Sequence, residues 1–590
     1  MRGMTPLMVR RLLPLAVSAL LLACSCDDKP TTPAAPVDAG PPVLAEKEPN
    51  DGPSTALVIE RSSIVEANLG ADPQKLDADW YAFTSSLPRT VDLAVTCPPG
   101  ADVALELVDE TGTTLASINS GGPGAPERFP NLDVSGKAYA RVIGLKKGAG
   151  GAYTLTTTFF DRAPGYELEP NERRVDSTQV ALGQAISGTL SHPNDVDWFR
   201  FELPSAAGAP VEEDASGGDD AGEDADAGAT GAGPVDAGPP PPERRLALRV
   251  DLSQVEGVSF DVQVMTEAEA VLFAAKSREG GPLSLRNVGV RESDRVIYVV
   301  VRSNPVGAGK DAKRGFNATT SYTLTVAPEE AGGSAEYEPN DELDKATELP
   351  ANSYREGFLS PKGDVDYYAL VTDGPSLAKV SVTGVEKIDL VLSVVQLKDG
   401  KEETVLKANE GAMKEPERLN NVFCDKRCFL RVEAAARKVD GKWVKDDENA
   451  DQAYRVSADV VPDDGSEERE PNNTQAQATA ITTGKPVRGT VFPKKDVDLF
   501  QLDLRGRQVK TPLKATLLGV LKVDVGLYLH RVEDDGKLTL VQTADGAKGD
   551  KPEVIRFSAE PGLYVFEVRD AKNREANFQD SYQLTVEEGD

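Results

Sequence analysis

Glu-Pro-Asn occurs four times in this 590-residue chain, at Glu48, Glu169, Glu338 and Glu470, and each occurrence opens a copy of one unit. An Asp-x-Asp pair follows each: Asp77/Asp79, Asp195/Asp197, Asp364/Asp366 and Asp496/Asp498. From the Glu to the second Asp the offsets are 31, 28, 28 and 28 residues. Each copy closes on a tyrosine that opens an alternating segment, Tyr153, Tyr322, Tyr454 and Tyr582, and the first three stand 16 residues before the next Glu-Pro-Asn. A small residue follows the Glu by 19 positions (Ala67, Gly188, Gly357, Gly489). A period this regular is the mark of a repeat protein, and here each unit is long enough to hold its own core.

The second copy is the long one, because residues 205–242 carry nine acidic and no basic side chains among Ala, Gly and Pro. That composition cannot bury enough apolar surface to order itself, so it reads as a disordered insert within a unit. Short β-branched or aromatic runs such as Val91–Val95, Val103–Leu107, Tyr298–Val301 and Tyr564–Val568 alternate with turns such as Glu110-Thr111-Gly112 and Asp534-Asp535-Gly536. Several short strands per hundred residues without a helical period predict an all-β chain, each unit a sandwich of two sheets. The expected organisation is 46–160, 167–330, 336–462 and 468–590, joined by short linkers.

Arg2, Arg10 and Arg11 precede the apolar run Leu12–Ala23, too short for a membrane span and shaped like a secretory signal. The run ends Leu21-Leu22-Ala23-Cys24, which resembles the bacterial lipobox. That resemblance implies a signal peptide over 1–23, lipid-modified Cys24 as first mature residue, and, with Ser25 rather than Asp next, the outer membrane. The alternatives are an ordinary signal peptide whose cleavage site happens to contain Cys, or Cys26 as the modified residue. The Pro-, Ala- and Asp-rich stretch to residue 45 reads as a disordered tether (24–45). The lipid is then the only membrane attachment, placing the protein in the cell envelope on its periplasmic or surface face.

Taken with its order of motifs, Glu-x-Glu-Pro-Asn-[Asp/Glu], a small residue, Asp-x-Asp-aromatic and Tyr-x-Leu-Thr-Val, each unit resembles the bacterial pre-peptidase C-terminal domain. That family includes the collagen-binding domains of clostridial collagenases. The resemblance implies a jelly-roll-like β-sandwich and one calcium site per copy. By matching position the ligands would be Glu46, Glu48, Asn50, Asp51, Asp77 and Asp79 in the first copy, and Glu167, Glu169, Asn171, Glu172, Asp195 and Asp197 in the second. The third offers Glu336, Glu338, Asn340, Asp341, Asp364 and Asp366, and the fourth Glu468, Glu470, Asn472, Asn473, Asp496 and Asp498. The residues themselves support a cation: at period two, Asp77, Asp79, Tyr81 and Phe83 share a strand face, so carboxylates lead into a core-facing row. Carboxylates there are costly unless paired or bound to a cation, and no Lys or Arg keeps a fixed position in all four copies. The other reading is a turn, in which Pro holds the preceding Glu extended and the acids cap and solvate.

The remaining chemistry is sparse. Cys424 and Cys428 flank what reads as a tight turn, and a disulfide between them is expected, with two free thiols the alternative, while Cys97 reads as a small apolar group. The two histidines, His192 and His530, stand in different copies with no nucleophile motif beside them, and His192 reads as a surface residue. With 65 basic against 96 acidic residues, a net charge of −31, no nucleic-acid partner is expected. The sequence therefore predicts a non-catalytic, calcium-stabilised envelope lipoprotein whose modules bind an extracellular or envelope protein or polysaccharide, or act as a spacer. The alternative is an accessory or regulatory subunit of a secreted hydrolase or peptidase carried on a separate chain.

Overall fold

Alternating burial decides the local structure. In the strand Ser63–Leu69 the side chains of Val65, Ala67 and Leu69 point inward while Glu66 and Asn68 face solvent, the period-two pattern of a half-buried strand. The computed structural model describes residues 40–204, 245–277, 280–291, 293–307, 309–548 and 551–589. The signal segment, Cys24, Cys26, the tether as far as residue 39 and the insert 205–242 lie outside the described residues. What is described is all-β, with multiple sheets and no regular element besides strands and five short 3₁₀ turns.

In the first repeat, Val43–Ala45, Ser63–Leu69, Gly151–Asp161, Arg89–Thr96 and Glu127–Val134 make one sheet, and Leu57–Ile59, Ala78–Thr84, Lys137–Gly144, Val103–Val108 and Thr114–Ile118 make another. The first strand of each sheet pairs in parallel and the rest are antiparallel. One apolar cluster takes Val65, Leu93, Phe129 and Leu155 from the first sheet and Tyr81, Phe83, Leu105 and Val142 from the second. The second and fourth repeats keep this two-sheet arrangement with five strands in one sheet and four in the other. The third differs because Val365–Val382 and Glu417–Ala434 run on through the corner where other repeats break, so its strands join one seven-stranded sheet. Each repeat closes its own apolar cluster, with residues of no other repeat in it.

Short linkers are not all that joins the repeats. Residues Val43–Asp590 form one compact unit, and parallel backbone bridges cross each junction: Leu132 with Glu169, Val288 with Glu338, Val422 with Glu470.

The cysteine expectation is corrected. Cys97, Cys424 and Cys428 all carry free thiols. Cys424 and Cys428 lie on the single strand Glu417–Ala434, bent at Lys426 (φ 70°), rather than on a hairpin turn. The Cys424 thiol donates to the Leu370 carbonyl at 3.7 Å, and its presence beside Cys428, together with burial, pushes the Cys428 thiol up. Cys97 packs against the first repeat's core, and burial raises its thiol to about 11.

Candidate metal centres

Each Glu-x-Glu-Pro-Asn turn is pinned to the strand carrying the Asp pair. The Asn carbonyl accepts the backbone N–H of the residue after the second Asp: Trp80 to Asn50 at 3.0 Å, Trp198 to Asn171 at 3.2 Å, Tyr367 to Asn340 at 3.1 Å, Leu499 to Asn472 at 3.3 Å. The Asn N–H in turn donates to the Glu two residues earlier, at 3.1, 3.0, 2.9 and 3.2 Å from the first repeat to the fourth. All four Glu–Pro peptides are cis. The turn thereby folds its two glutamates over the strand entrance.

Three carboxylates meet there in every repeat. Oxygens of Glu46, Glu48 and Asp79 lie within 4.8 Å of one another, as do those of Glu167, Glu169 and Asp197, of Glu336, Glu338 and Asp366, and of Glu468, Glu470 and Asp498. The third repeat adds a second triad, Glu338, Asp341 and Asp364. Among the described residues no Lys or Arg pairs with these acids, Asp51 excepted: it is exposed and bonded to Lys75 at 3.1 Å. The first Asp of each pair has a structural duty, closing the loop before the strand. Its carboxylate accepts a backbone N–H from Gly70 on Asp77 (2.5 Å), Ser191 on Asp195 (2.5 Å), Ser360 on Asp364 (2.7 Å) and Phe492 on Asp496 (2.9 Å). Glu172 is half-buried with Oε1 unpartnered, and burial raises it to about 7. Asn473 is exposed and, with its amide oriented to satisfy its neighbours, donates to Asp496 Oδ1 at 3.2 Å. It stands as a donor to an acid rather than as an oxygen turned to the cluster.

Sequence reading located the closing tyrosines but missed their hydroxyls. Tyr153 donates to Asp79 Oδ2 at 2.6 Å, Tyr454 to Asp366 at 2.5 Å and Tyr582 to Asp498 at 2.7 Å, and Tyr322 bonds Asp197 likewise. Their fixed spacing from the next turn was the available signal. The small residue at position 19 has its reason here as well. A Cβ on Gly357 would sit 2.5 Å from Glu336 Oε2 and 2.6 Å from the Tyr368 hydroxyl, and one on Gly489 would sit 2.2 Å from Glu468 Oε2. His192 corrects the expectation of a surface residue: it is buried beside Asp195, Nδ1 at 3.5 Å. Burial lowers its pKa, but the Asp195 carboxylate outweighs that and leaves it raised. His530 Nε2 lies 2.9 Å from Glu567.

The tyrosines and backbone satisfy only part of the oxygen. Glu167 Oε2, Glu169 Oε1, Asn171 Oδ1 and Asp197 Oδ1 are buried with no partner, as are Glu338 Oε1, Asn340 Oδ1 and Asp366 Oδ1, and Glu470 Oε1, Asn472 Oδ1 and Asp498 Oδ1. Buried polar atoms are normally paired, so the same three residues left open in three repeats mark an oxygen-rich unsatisfied cluster, in which the amide nitrogens of Asn171 and Asn472 are also without a partner. Burial, reinforced by the neighbouring carboxylates, drives Glu169, Asp197, Glu338, Asp366, Glu470 and Asp498 well above the usual carboxylate range. Asp79 rises to about 8 for the same first reason. Such a group stays protonated until the pH is high or a cation arrives. The first cluster is the most open: Asn50 and Asp79 are buried, Glu46 is half-buried and Glu48 is exposed. An all-oxygen donor set of carboxylates and amides suits a hard cation, so these clusters could hold a metal ion.

No protein-family model matches the sequence, and no curated protein does. Among solved structures, the pre-peptidase C-terminal domain of the collagenase from Bacillus anthracis is 18% identical and covers 20% of this chain and 100% of its own, with a TM-score of 0.16. The stem and receptor binding domain of the spike protein P1 from bacteriophage PM2 is 11% identical and covers 39% of this chain and 98% of its own, with a TM-score of 0.12. No helix among the described residues is long and apolar enough to cross a membrane.

Proposed function

We propose that this chain is a non-catalytic envelope lipoprotein, a calcium-stabilised array of four jelly-roll-like sandwich modules that presents a binding surface away from the membrane. The observation that carries the reading is the acid cluster repeated in each unit, with buried oxygens that no protein group satisfies in three of them. The modules are residues 46–160, 167–330, 336–462 and 468–590, similar in motif order to the pre-peptidase C-terminal domain. Calcium fits because it accepts six to eight oxygens, including carboxylates and amide carbonyls. In each module it would be held by the two glutamates, the Asn and the second Asp (Glu336, Glu338, Asn340 and Asp366 in the third), with Asp341 and Asp364 adding oxygens in that one. Its role is structural, neutralising acids that the fold buries together. Cys24 supplies the anchor and residues 24–45 the tether.

The partner is an envelope or extracellular protein or polysaccharide, and several weak modules on one chain gain strength by engaging together. The test is affinity capture from native envelope using the full chain, in calcium and in chelator. The reading expects a polysaccharide or protein retained in calcium and released by chelator. Hydrolytic activity in the purified chain, or identical capture in both buffers, would count against it.

A further inference from the structure

The acid clusters of the second, third and fourth repeats are each completed by the repeat before. In the first three repeats the strands Glu127–Val134, Leu283–Arg291 and Glu417–Ala434 slip register against their neighbours, between Val91 and Leu93, Leu248 and Val250, and Ala378 and Val380. At each slip stands an asparagine in the left-handed region, Asn131 (φ 57°), Asn287 (φ 54°) and Asn421 (φ 52°). Such a β-bulge re-aims a side chain, and Asn tolerates this conformation.

The three bulges make the same contacts. The asparagine side chain donates to the first glutamate of the next repeat: Asn131 to Glu167 Oε1 at 3.4 Å, Asn287 to Glu336 Oε1 at 3.2 Å, Asn421 to Glu468 Oε1 at 3.0 Å. Its carbonyl accepts the backbone N–H of the second glutamate, Glu169 at 3.0 Å, Glu338 at 2.9 Å and Glu470 at 2.9 Å. That glutamate's own carbonyl then accepts the N–H of Asp133, Gly289 or Phe423, at 2.8 Å each time. Both backbone groups of Glu169, Glu338 and Glu470 are thus held by the preceding repeat, and these residues carry the open oxygens Glu169 Oε1, Glu338 Oε1 and Glu470 Oε1. The fourth repeat pairs Thr511–Leu518 with Glu553–Ala559 without a slip and has Phe557 after Arg556, so the device is missing there. The first cluster, on which no described asparagine bulge docks, is the one with an exposed glutamate.

We infer that the second, third and fourth cation sites are junction sites, in which ion binding and docking of adjacent repeats are one coupled equilibrium and Asn131, Asn287 and Asn421 are positioning residues. This rests on the calcium reading above. An ion drawn to Glu169, Glu338 or Glu470 fixes the loop that the previous repeat grips, and the grip holds that loop in its ion-binding shape. Linkage makes the effect reciprocal: calcium stiffens the junctions between repeats, and undocking weakens calcium.

The test uses the full chain and calcium alone. Asn131→Gly/Asn287→Gly/Asn421→Gly keeps the backbone conformation available, since Gly adopts positive φ freely, and deletes the side-chain donor. Calcium titration of the variant should show affinity at the junction sites lowered by at least about fivefold, the lower end of ordinary coupling, with the Glu46/Glu48 site unchanged. Small-angle scattering of the unaltered chain gives a second reading that needs no variant: the maximum dimension should be sharply defined in calcium and spread in chelator. Wild-type affinity in the triple variant together with calcium-independent scattering would overturn the coupling while leaving the calcium reading intact. A wild-type chain that binds no calcium would overturn both.

Discussion

Calcium should raise the first melting transition of the full chain by about 10 °C relative to chelator at pH 8. At a free concentration one hundred times the dissociation constant, one site contributes about 2.7 kcal/mol. In a unit of ordinary domain size each kcal/mol moves the midpoint by about 4 °C. The pH dependence carries the signature of the site. The buried acids have folded pKa values above their unfolded ones, Asp79 at about 8 and Glu172 at about 7. Stability from a raised carboxylate is fully present below the unfolded pKa and lost as pH climbs through the folded one. In chelator the chain should therefore melt higher at pH 5 than at pH 8, and calcium should remove or reverse that order, because its ligands must be deprotonated. Asp364→Ala/Asp366→Ala should shrink the calcium shift. Thermal melts in calcium, magnesium and chelator at both pH values check this; equal shifts with both ions would point to screening of an acidic surface instead.

Gly357→Ala should destabilise the third repeat by about 3 kcal/mol, a fall of about 10 °C in its transition, and cost that repeat its calcium response. The added methyl has nowhere to go: Glu336 Oε2, the Tyr368 hydroxyl and the Tyr454 ring all lie within 2.6 Å of its position. The backbone there is ordinary, so the effect is steric and not conformational. The first repeat has Ala67 at the matching place, with its glutamates less enclosed. Melts of the variant would check this, and a midpoint within a degree of wild type would show that the pocket yields.

The repeat made much of this legible. Glu-Pro-Asn and the Asp pair hold fixed offsets because both ends of one small cluster must meet, so Asp79 could be placed facing inward beside Tyr81 from period two alone. The tyrosine hydroxyls were hidden because Tyr153 and Tyr454 reach their acids across 74 and 88 residues of sequence. The junction asparagines were hidden more deeply. Asn131 and Asn421 both stand 83 residues after their own repeat's Glu and Asn287 stands 118 after its own, but their partners belong to the next repeat and the residues preceding them, Pro130, Asn420 and Arg286, share no chemistry. A reading that divided the chain into independent units had no reason to look across the divisions. The cysteine pair misled for a related reason: two residues around a bend look alike in sequence whether the bend is a hairpin or a corner within one long strand.

The most direct test of the calcium account is the number of ions bound. Chelated chain dialysed to equilibrium against micromolar calcium in millimolar magnesium, then analysed for metal content, should hold three calcium ions, in repeats two to four, with a fourth entering the more open Glu46/Glu48 cluster as calcium rises. Less than one ion per chain at millimolar calcium would contradict it, and the buried acids would then be held by protons alone.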